Sequence, residues 1–130
     1  MATTCIIADS SIWIDHINKG DPELAAQLKR RRIAVHPMII GEVALGSIAN
    51  RDLILDELQA LPQARSASHS EVMGMIEGLK LFNSGIGYVD AHLLAAARLT
   101  PQTQLWTRDK RLHAIAERLS LAAAIANYSQ

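Results

Sequence analysis

Cys5-Ile6-Ile7-Ala8-Asp9-Ser10-Ser11-Ile12-Trp13-Ile14 carries the reading on which the fold turns. The first four residues suit a strand buried on both faces, and the polar step Asp9-Ser10-Ser11 before Ile12, Trp13 and Ile14 marks the switch into a helix. Asp9 therefore falls at the C-terminal end of a strand. Open parallel sheets bind their ligands at that end.

Outward from this stretch, strand and helix signals alternate. A buried strand is expected over 3–8 and a helix over 10–18, broken by Lys19-Gly20. Asp21 reads as an N-cap with Pro22 at the first helical position, opening a helix that runs out in Lys29-Arg30-Arg31-Arg32. A short strand follows over 33–36. Pro37 then begins a helix whose apolar Ile39, Ile40, Val43 and Leu45 surround a sole acid, Glu42. The next helix, 51–61, turns Leu53, Ile54, Leu58 and Leu61 inward and is closed by Pro62. Ser68 or Ser70 caps a helix over 71–82. The loop Asn83-Ser84-Gly85-Ile86-Gly87 leads to an Ala-rich helix over 88–99. Residues 104–106 form a late strand, Asp109 starts a helix through 118, and 121–125 reads as a last edge strand. Such alternation implies an α/β chain: a three-layer α/β/α sandwich on a mostly parallel central sheet, one domain over 1–130.

At 130 residues and 49% hydrophobic content, the chain can bury well over half of its unfolded surface. Cys5 is the single cysteine, which removes an intrachain disulfide, a Cys-rich zinc site and a redox pair, and fits a reducing cytosol. The N-terminus has no basic segment, and no apolar run approaches the ~18 residues of a membrane span. A cytoplasmic protein without membrane contact is expected. Thirteen basic residues balance thirteen acidic ones, so no overall positive field draws in a polyanion. Binding to nucleic acid must use a local patch, a metal or a partner.

The chemistry lies in where the acids fall. Asp9 and Asp109 follow strands, Asp90 lies in the first turn of a helix after a glycine-bearing loop, and Glu42 lies early in a helix after the second strand. All four can reach one end of the sheet. Taken singly, Asp9, Asp90 and Asp109 read as helix caps; taken together they read as a ligand set. Carboxylates within ~4 Å repel by ~4 kcal/mol per pair at an effective dielectric of ~20, and a cation removes that penalty. Oxygen donors suit Mg²⁺ or Mn²⁺, and two such ions ~3.5–4 Å apart suit an in-line phosphodiester displacement. Ser11 and Thr107, each two residues from an acid, can orient carboxylates. Arg108, Lys110 and Arg111 flank Asp109, where they can meet substrate phosphates.

The remaining features carry less. The run Lys29 to Arg32 is either a solvated helix end or an RNA contact. The five histidines show no paired ligand spacing and read as surface or partly buried rings, with His92 a supporting candidate beside Asp90. Trp13 and Trp106 read as core or interface residues. Gly85 and Gly87 permit a tight approach to Asp90. A dinucleotide site lacks its Gly-rich turn after the first strand, and a receiver-like phosphoacceptor lacks its paired N-terminal acids and late lysine. The competing reading is a non-catalytic RNA-binding or assembly module.

The strings Asp9-Ser10-Ser11-Ile12-Trp13-Ile14, Gly41-Glu42-Val43-Ala44-Leu45-Gly46, Val89-Asp90-Ala91-His92-Leu93-Leu94-Ala95-Ala96 and Leu105-Trp106-Thr107-Arg108-Asp109-Lys110 resemble the four acidic motifs of PIN-domain ribonucleases. In order, spacing and length the chain is similar to the VapC toxins of type II toxin–antitoxin pairs. The resemblance implies a Mg²⁺- or Mn²⁺-dependent endoribonuclease acting on structured RNA such as tRNA or ribosomal RNA. It also implies a homodimer and a cognate VapB-like antitoxin laid across the active-site groove, with the apolar helix faces between 21 and 61 as the expected contact. In the family the first three acids are the firmest ligands, which makes Asp9, Glu42 and Asp90 the principal set and Asp109 an auxiliary ligand or water-positioning acid. Leu112 stands where many relatives carry an aromatic residue, a conservative apolar change.

Overall fold

Ile6 and Ile7 lie at the centre of the sheet. In a computed structural model, which describes residues 4–125, β1 (Cys5–Ala8) pairs in parallel with β2 (Ile33–Ala34) on one side and β3 (Thr103–Trp106) on the other. Ile7 stands opposite both Ala34 and Leu105, and Ala8 opposite Trp106. Thr3, the start of the expected first strand, lies outside the described residues.

The helices are α1 (Ser10–Lys19), α2 (Pro22–Lys29), α3 (Pro37–Ala44), α4 (Arg51–Ala60), α5 (His69–Gly78), α6 (Tyr88–Leu99) and α7 (Lys110–Arg118). The strand order β2-β1-β3 means that the chain steps off one side of β1 and later returns to the other. Right-handed crossovers send two such connections to opposite faces of a sheet. The result is the three-layer α/β/α arrangement expected from the sequence. The helix packed on β3 is α6, which also packs against α5. Residues 91–97 of α6 are all buried; a helix apolar on every side belongs in the interior.

Capping chemistry sets the helix starts. Asp21 accepts hydrogen bonds from the amides of Glu23 and Leu24, both at 3.0 Å, as the N-cap of α2. Ser68 caps α5, and Glu71 reaches back to the Ser68 amide in a full capping box. Helix α5 therefore starts two residues before the expected 71 and ends at Gly78 rather than 82. Left-handed backbone at Lys80 and Asn83 turns the chain out of the helix there. The segment 121–125 makes no regular edge strand. It attaches to β3 through a single parallel bridge, Leu105 to Ala122, held by the Leu105 amide on the Leu121 carbonyl and the Ala123 amide on the Leu105 carbonyl. Likewise, β2 is shorter than expected, with Val35 bridging to Gln63 instead. Leu53, expected inward, is 58% exposed, and Leu45, just beyond α3, is 90% exposed.

These placements separate two leucines that the sequence pattern treats alike. Leu94 is fully buried in α6, so Leu94→Ala should cost about 2–5 kcal/mol through lost contacts and a residual cavity. Leu53→Ala should change stability by about 0.5 kcal/mol or less. Urea unfolding of both variants checks the pair, and an equal cost would place Leu53 in the core.

Candidate active site

The β1–β3 pairing runs one step past the strands, since the Asp9 amide donates to the Trp106 carbonyl at 3.0 Å. Asp9 therefore emerges at the C-terminal edge of the sheet, still only 8% exposed. Its carboxylate is held from three directions. The Ser11 hydroxyl donates to Oδ1 at 2.7 Å and the Ile12 amide to the same oxygen at 3.3 Å, so that Asp9 also caps α1. The fully buried Thr107 donates its hydroxyl to Oδ2. Thr107 Oγ1 in turn accepts the Asp109 amide at 3.1 Å. One threonine thus ties the acid after β1 to the acid after β3.

Asp109 is exposed and caps α7, accepting the Leu112 amide at 2.9 Å. Asp90 lies in the first turn of α6 and accepts the Gly87 amide at 3.2 Å. Burial pushes the Asp90 carboxyl above the ordinary carboxylate range; the Gly87 amide opposes this, and the charges of Asp109, Asp9 and Glu42 each push it further up. Glu42 is half-buried on α3 and, among the described residues, its side chain makes no hydrogen bond or ion pair. Asp109, Asp9 and Glu42 are thus all near enough to Asp90 to act on its carboxyl, as lesser causes behind burial. Among the described residues, no three acids, cysteines or imidazoles stand close enough together to hold a metal ion as placed. The donor set itself, carboxylate oxygens from Asp9, Glu42, Asp90 and Asp109, has the chemistry that a hard divalent cation takes. A carboxylate offers about four lone-pair sites, and Asp9 uses three, leaving room on Oδ2 for one more partner.

The cations next to Asp109 separate into two kinds. Arg108 is largely buried and turns away to α1 and α2, pairing with Asp21 at 2.5 Å and Asp15 at 3.6 Å while its guanidinium lies over Trp106, 5.4 Å from the ring centre. Lys110 and Arg111 are exposed. Arg111 rests against Gly85, whose backbone is left-handed. A Cβ there would stand 2.7 Å from Arg111 Cδ and 2.8 Å from Nη1, so only glycine leaves the arginine its place. Gly87, by contrast, has an ordinary φ and serves through its amide. The run Lys29 to Arg32 leads into the N-terminal end of β2, the opposite end of a parallel sheet from Asp9.

Sequence reasoning missed a column of rings beside the acids. His36 is buried, caps α3 by accepting the Met38 amide on Nδ1 at 3.0 Å, and lies 6.1 Å from the ring of buried His92. His92 meets Tyr88 edge-on at 4.6 Å, and the Tyr88 hydroxyl bonds His69 Nδ1. Burial, then the neighbouring His92, lowers His36 to about 4, so it is a neutral structural ring at neutral pH. The signal available beforehand was the i, i+4 spacing of Tyr88 and His92 and the placing of His36 before Pro37.

The Asp21–Arg108 pair has a pH signature. Burial pushes the Asp21 carboxyl up, but the Leu24 amide, the Arg108 hydrogen bond and charge, and the Glu23 amide outweigh it and hold the pKa below its ordinary 3.8. A depressed folded pKa contributes stability that is complete above the unfolded value and is lost as pH falls through the folded one. Arg108→Ala should cost about 3 kcal/mol at neutral pH, and its deficit against wild type should narrow as the pH is taken below 3.8. Urea midpoints across that range measure it; a gap constant to the lowest pH would mean that the pair contributes only through packing.

The pattern of the PIN domain matches residues 6–118, a span that contains Asp9, Glu42, Asp90 and Asp109. Two relatives, each named Ribonuclease VapC32, come from Mycobacterium tuberculosis strains CDC 1551 / Oshkosh and ATCC 25618 / H37Rv. Each is 40% identical over 119 residues, which cover 92% of this chain and 96% of the relative. The chain belongs to the PIN-domain family and, within it, is VapC-like.

Proposed function

We propose that this chain is a divalent-metal-dependent endoribonuclease, one PIN domain over 1–130, acting in the cytoplasm as the toxin of a type II toxin–antitoxin pair. The observation that carries the reading is the tie from Thr107 to both the Asp9 carboxylate and the Asp109 amide at the C-terminal edge of the sheet, with Asp109, Asp9 and Glu42 all near enough to Asp90 to push its pKa up beyond the effect of burial. Such crowding is unfavourable in the protein alone and becomes favourable around a cation. Asp9, Glu42 and Asp90 hold Mg²⁺ or Mn²⁺, with Asp109 as auxiliary ligand or water-positioning acid. When bound, the ion supplies Lewis-acid stabilisation of charge at the scissile phosphodiester. Ser11 and Thr107 fix the rotamer of Asp9 and keep its remaining lone pair turned to the cleft. Lys110 and Arg111 take phosphates of a structured RNA such as tRNA or ribosomal RNA, while Arg108 anchors the loop that carries Asp109. Kinship with ribonucleases of the VapC kind supports the RNA substrate, the homodimer and the VapB-like antitoxin. A mainly apolar groove of about 280 Å³, lined by Trp13, Ile17, Leu28, Ile54, Leu58 and Leu61 with His16 and Glu57 among them, supports the antitoxin contact on α1, α2 and α4.

Removal of an outer partner of a metal ligand costs about 10–100-fold, and of a ligand more. Purified wild type should cut folded cellular RNA into discrete fragments with Mg²⁺ or Mn²⁺ and not with a chelator. Thr107→Val should slow the cutting by about 10–100-fold, and Asp9→Asn, Glu42→Gln or Asp90→Asn should abolish it while the fold is retained. RNA binding without cutting under either ion would favour a non-catalytic PIN module.

A second test needs no substrate. The folded pKa of Asp90 is raised above 3.8, so the metal-free protein loses stability as pH rises through that folded value. At pH ~7, above the reference carboxylate range, Asp90→Asn keeps an oxygen for the Gly87 amide and removes the repulsion. It should therefore unfold at higher urea than metal-free wild type, and Mn²⁺ should stabilise wild type but not the variant. A less stable Asp90→Asn, or equal stabilisation of both by Mn²⁺, would remove Asp90 from the ligand set.

A further inference from the structure

We propose that the pocket at the junction of α5 and α6 receives a single unpaired nucleobase of the RNA, next to the phosphate that is cut. The proposal rests on the ribonuclease reading above and names the part of the substrate that is read. The pocket encloses about 220 Å³ and is walled by Phe82 and Tyr88 over Ile76, Leu81 and Ile86, with Ser84 among them. That volume lies below the roughly 300–1,000 Å³ of sites for drug-sized ligands, and it suits one flat heterocycle.

Three features fix the chemistry of the occupant. First, Phe82 and Tyr88 are 53% and 42% exposed, and exposed aromatic faces stack bases of any identity. The Tyr88 ring is already held in place, its hydroxyl on His69 Nδ1 and its ring in a T-shaped contact with His92. Little ordering is left to be done on binding. Second, the Ser84 hydroxyl is buried and has no hydrogen-bond partner among the described residues. A buried hydroxyl normally has one, and this one, closed to solvent in the free protein, can donate to or accept from the edge of a base once the loop 83–87 gives way to it. Third, the lining has no Lys, Arg, Asp or Glu, so it suits the neutral base rather than a phosphate. The phosphate has its own place nearby. Gly87 lines the pocket and donates to Asp90, and Gly85 seats Arg111. One loop, 83–87, thus joins the base pocket to the acids and to an exposed cation. Unstacked single-stranded bases are the usual object of sequence-specific RNA recognition.

The test uses a short random-sequence RNA library with Mg²⁺ or Mn²⁺, with sequencing of the cut ends, for wild type, Phe82→Ala and Ser84→Ala, each shown to be folded by circular dichroism. Wild type should show a base preference at one position beside the cut. Ser84→Ala should flatten the preference at that position alone, and Phe82→Ala should lower kcat/KM by about 5–100-fold, mainly through KM. A parallel titration follows 2-aminopurine fluorescence in single-stranded RNA on the Asp9→Asn background, where it should lose affinity with Phe82→Ala. Cutting by wild type with unchanged preference and affinity in both variants overturns the base site and leaves the nuclease standing. The same result with an altered sedimentation coefficient assigns the pocket to a protein contact. Binding that depends on Phe82 without any wild-type cutting overturns the nuclease and keeps the base site; neither cutting nor binding overturns both.

Discussion

Asp9 is placed by a constraint that it does not itself supply. β1 is flanked on both sides by parallel strands, and Ile6, Ile7 and Ala8 are buried. The first residue free to be polar is the one at which the strand ends. The Asp9 amide is still bonded to Trp106, so its carboxylate is held at the sheet edge by backbone hydrogen bonds, with no need of a cation. The chain after β3 is tied to the same spot through Thr107, whose hydroxyl serves both Asp9 and the Asp109 amide. Glu42 and Asp90 come from α3 and α6, which flank this edge. Asp9 and Asp109 therefore meet at one edge because the strands are parallel and in register, and a slip of one residue between β1 and β3 would undo the Thr107 tie between them.

The same carboxylates are also helix caps, and this duality explains how the fold tolerates them. Asp9 caps α1 and Asp109 caps α7, each through an amide three residues on, a contact worth about 1 kcal/mol. Asp90 bonds the amide of Gly87 at the start of α6. Each acid thus sits near the positive end of a helix dipole, which offsets part of the mutual repulsion. Glu42 has no such support among the described residues. It is the acid whose presence local structure explains least, and so the one for which a ligand role is the stronger account.

Much of this was legible in the sequence, because the signals were local. The strand-to-helix switch at Asp9, the Asp21-Pro22 start of α2 and the Pro37 start of α3 each depend on neighbouring residues. What was not legible depended on contacts between distant segments. Arg108 reads as a phosphate-facing cation beside Asp109, but Asp21, eighty-seven positions earlier, claims its guanidinium. Leu53 fits an inward stripe, yet it stays mostly exposed, with little of the described chain packed over it. Residues 121–125 have strand composition, and the two hydrogen bonds to Leu105 leave them short of a strand. The histidine and tyrosine column was legible only in its Tyr88–His92 spacing and in the place of His36 before Pro37, because His69 and His36 come to it from α5 and from the end of β2.

Charge distribution orders the remaining roles. With thirteen cations against thirteen anions, and with Arg108 neutralised inside the fold, long-range steering of RNA is weak. The four-residue basic run lies at the wrong end of the sheet to help at the acids. Recognition near Asp90 must then act at short range, through shape, stacking and a few placed cations. In the proposed base site, the loop 83–87 supplies those contacts. Its left-handed Gly85 admits Arg111, its Gly87 amide positions Asp90, and its Ser84 and flanking aromatics form a neutral recess. A protein that cannot attract RNA by net charge gains selectivity from the same deficit. Under the proposed function, weak non-specific binding would leave the fit at one loop to decide which phosphodiester meets the acids.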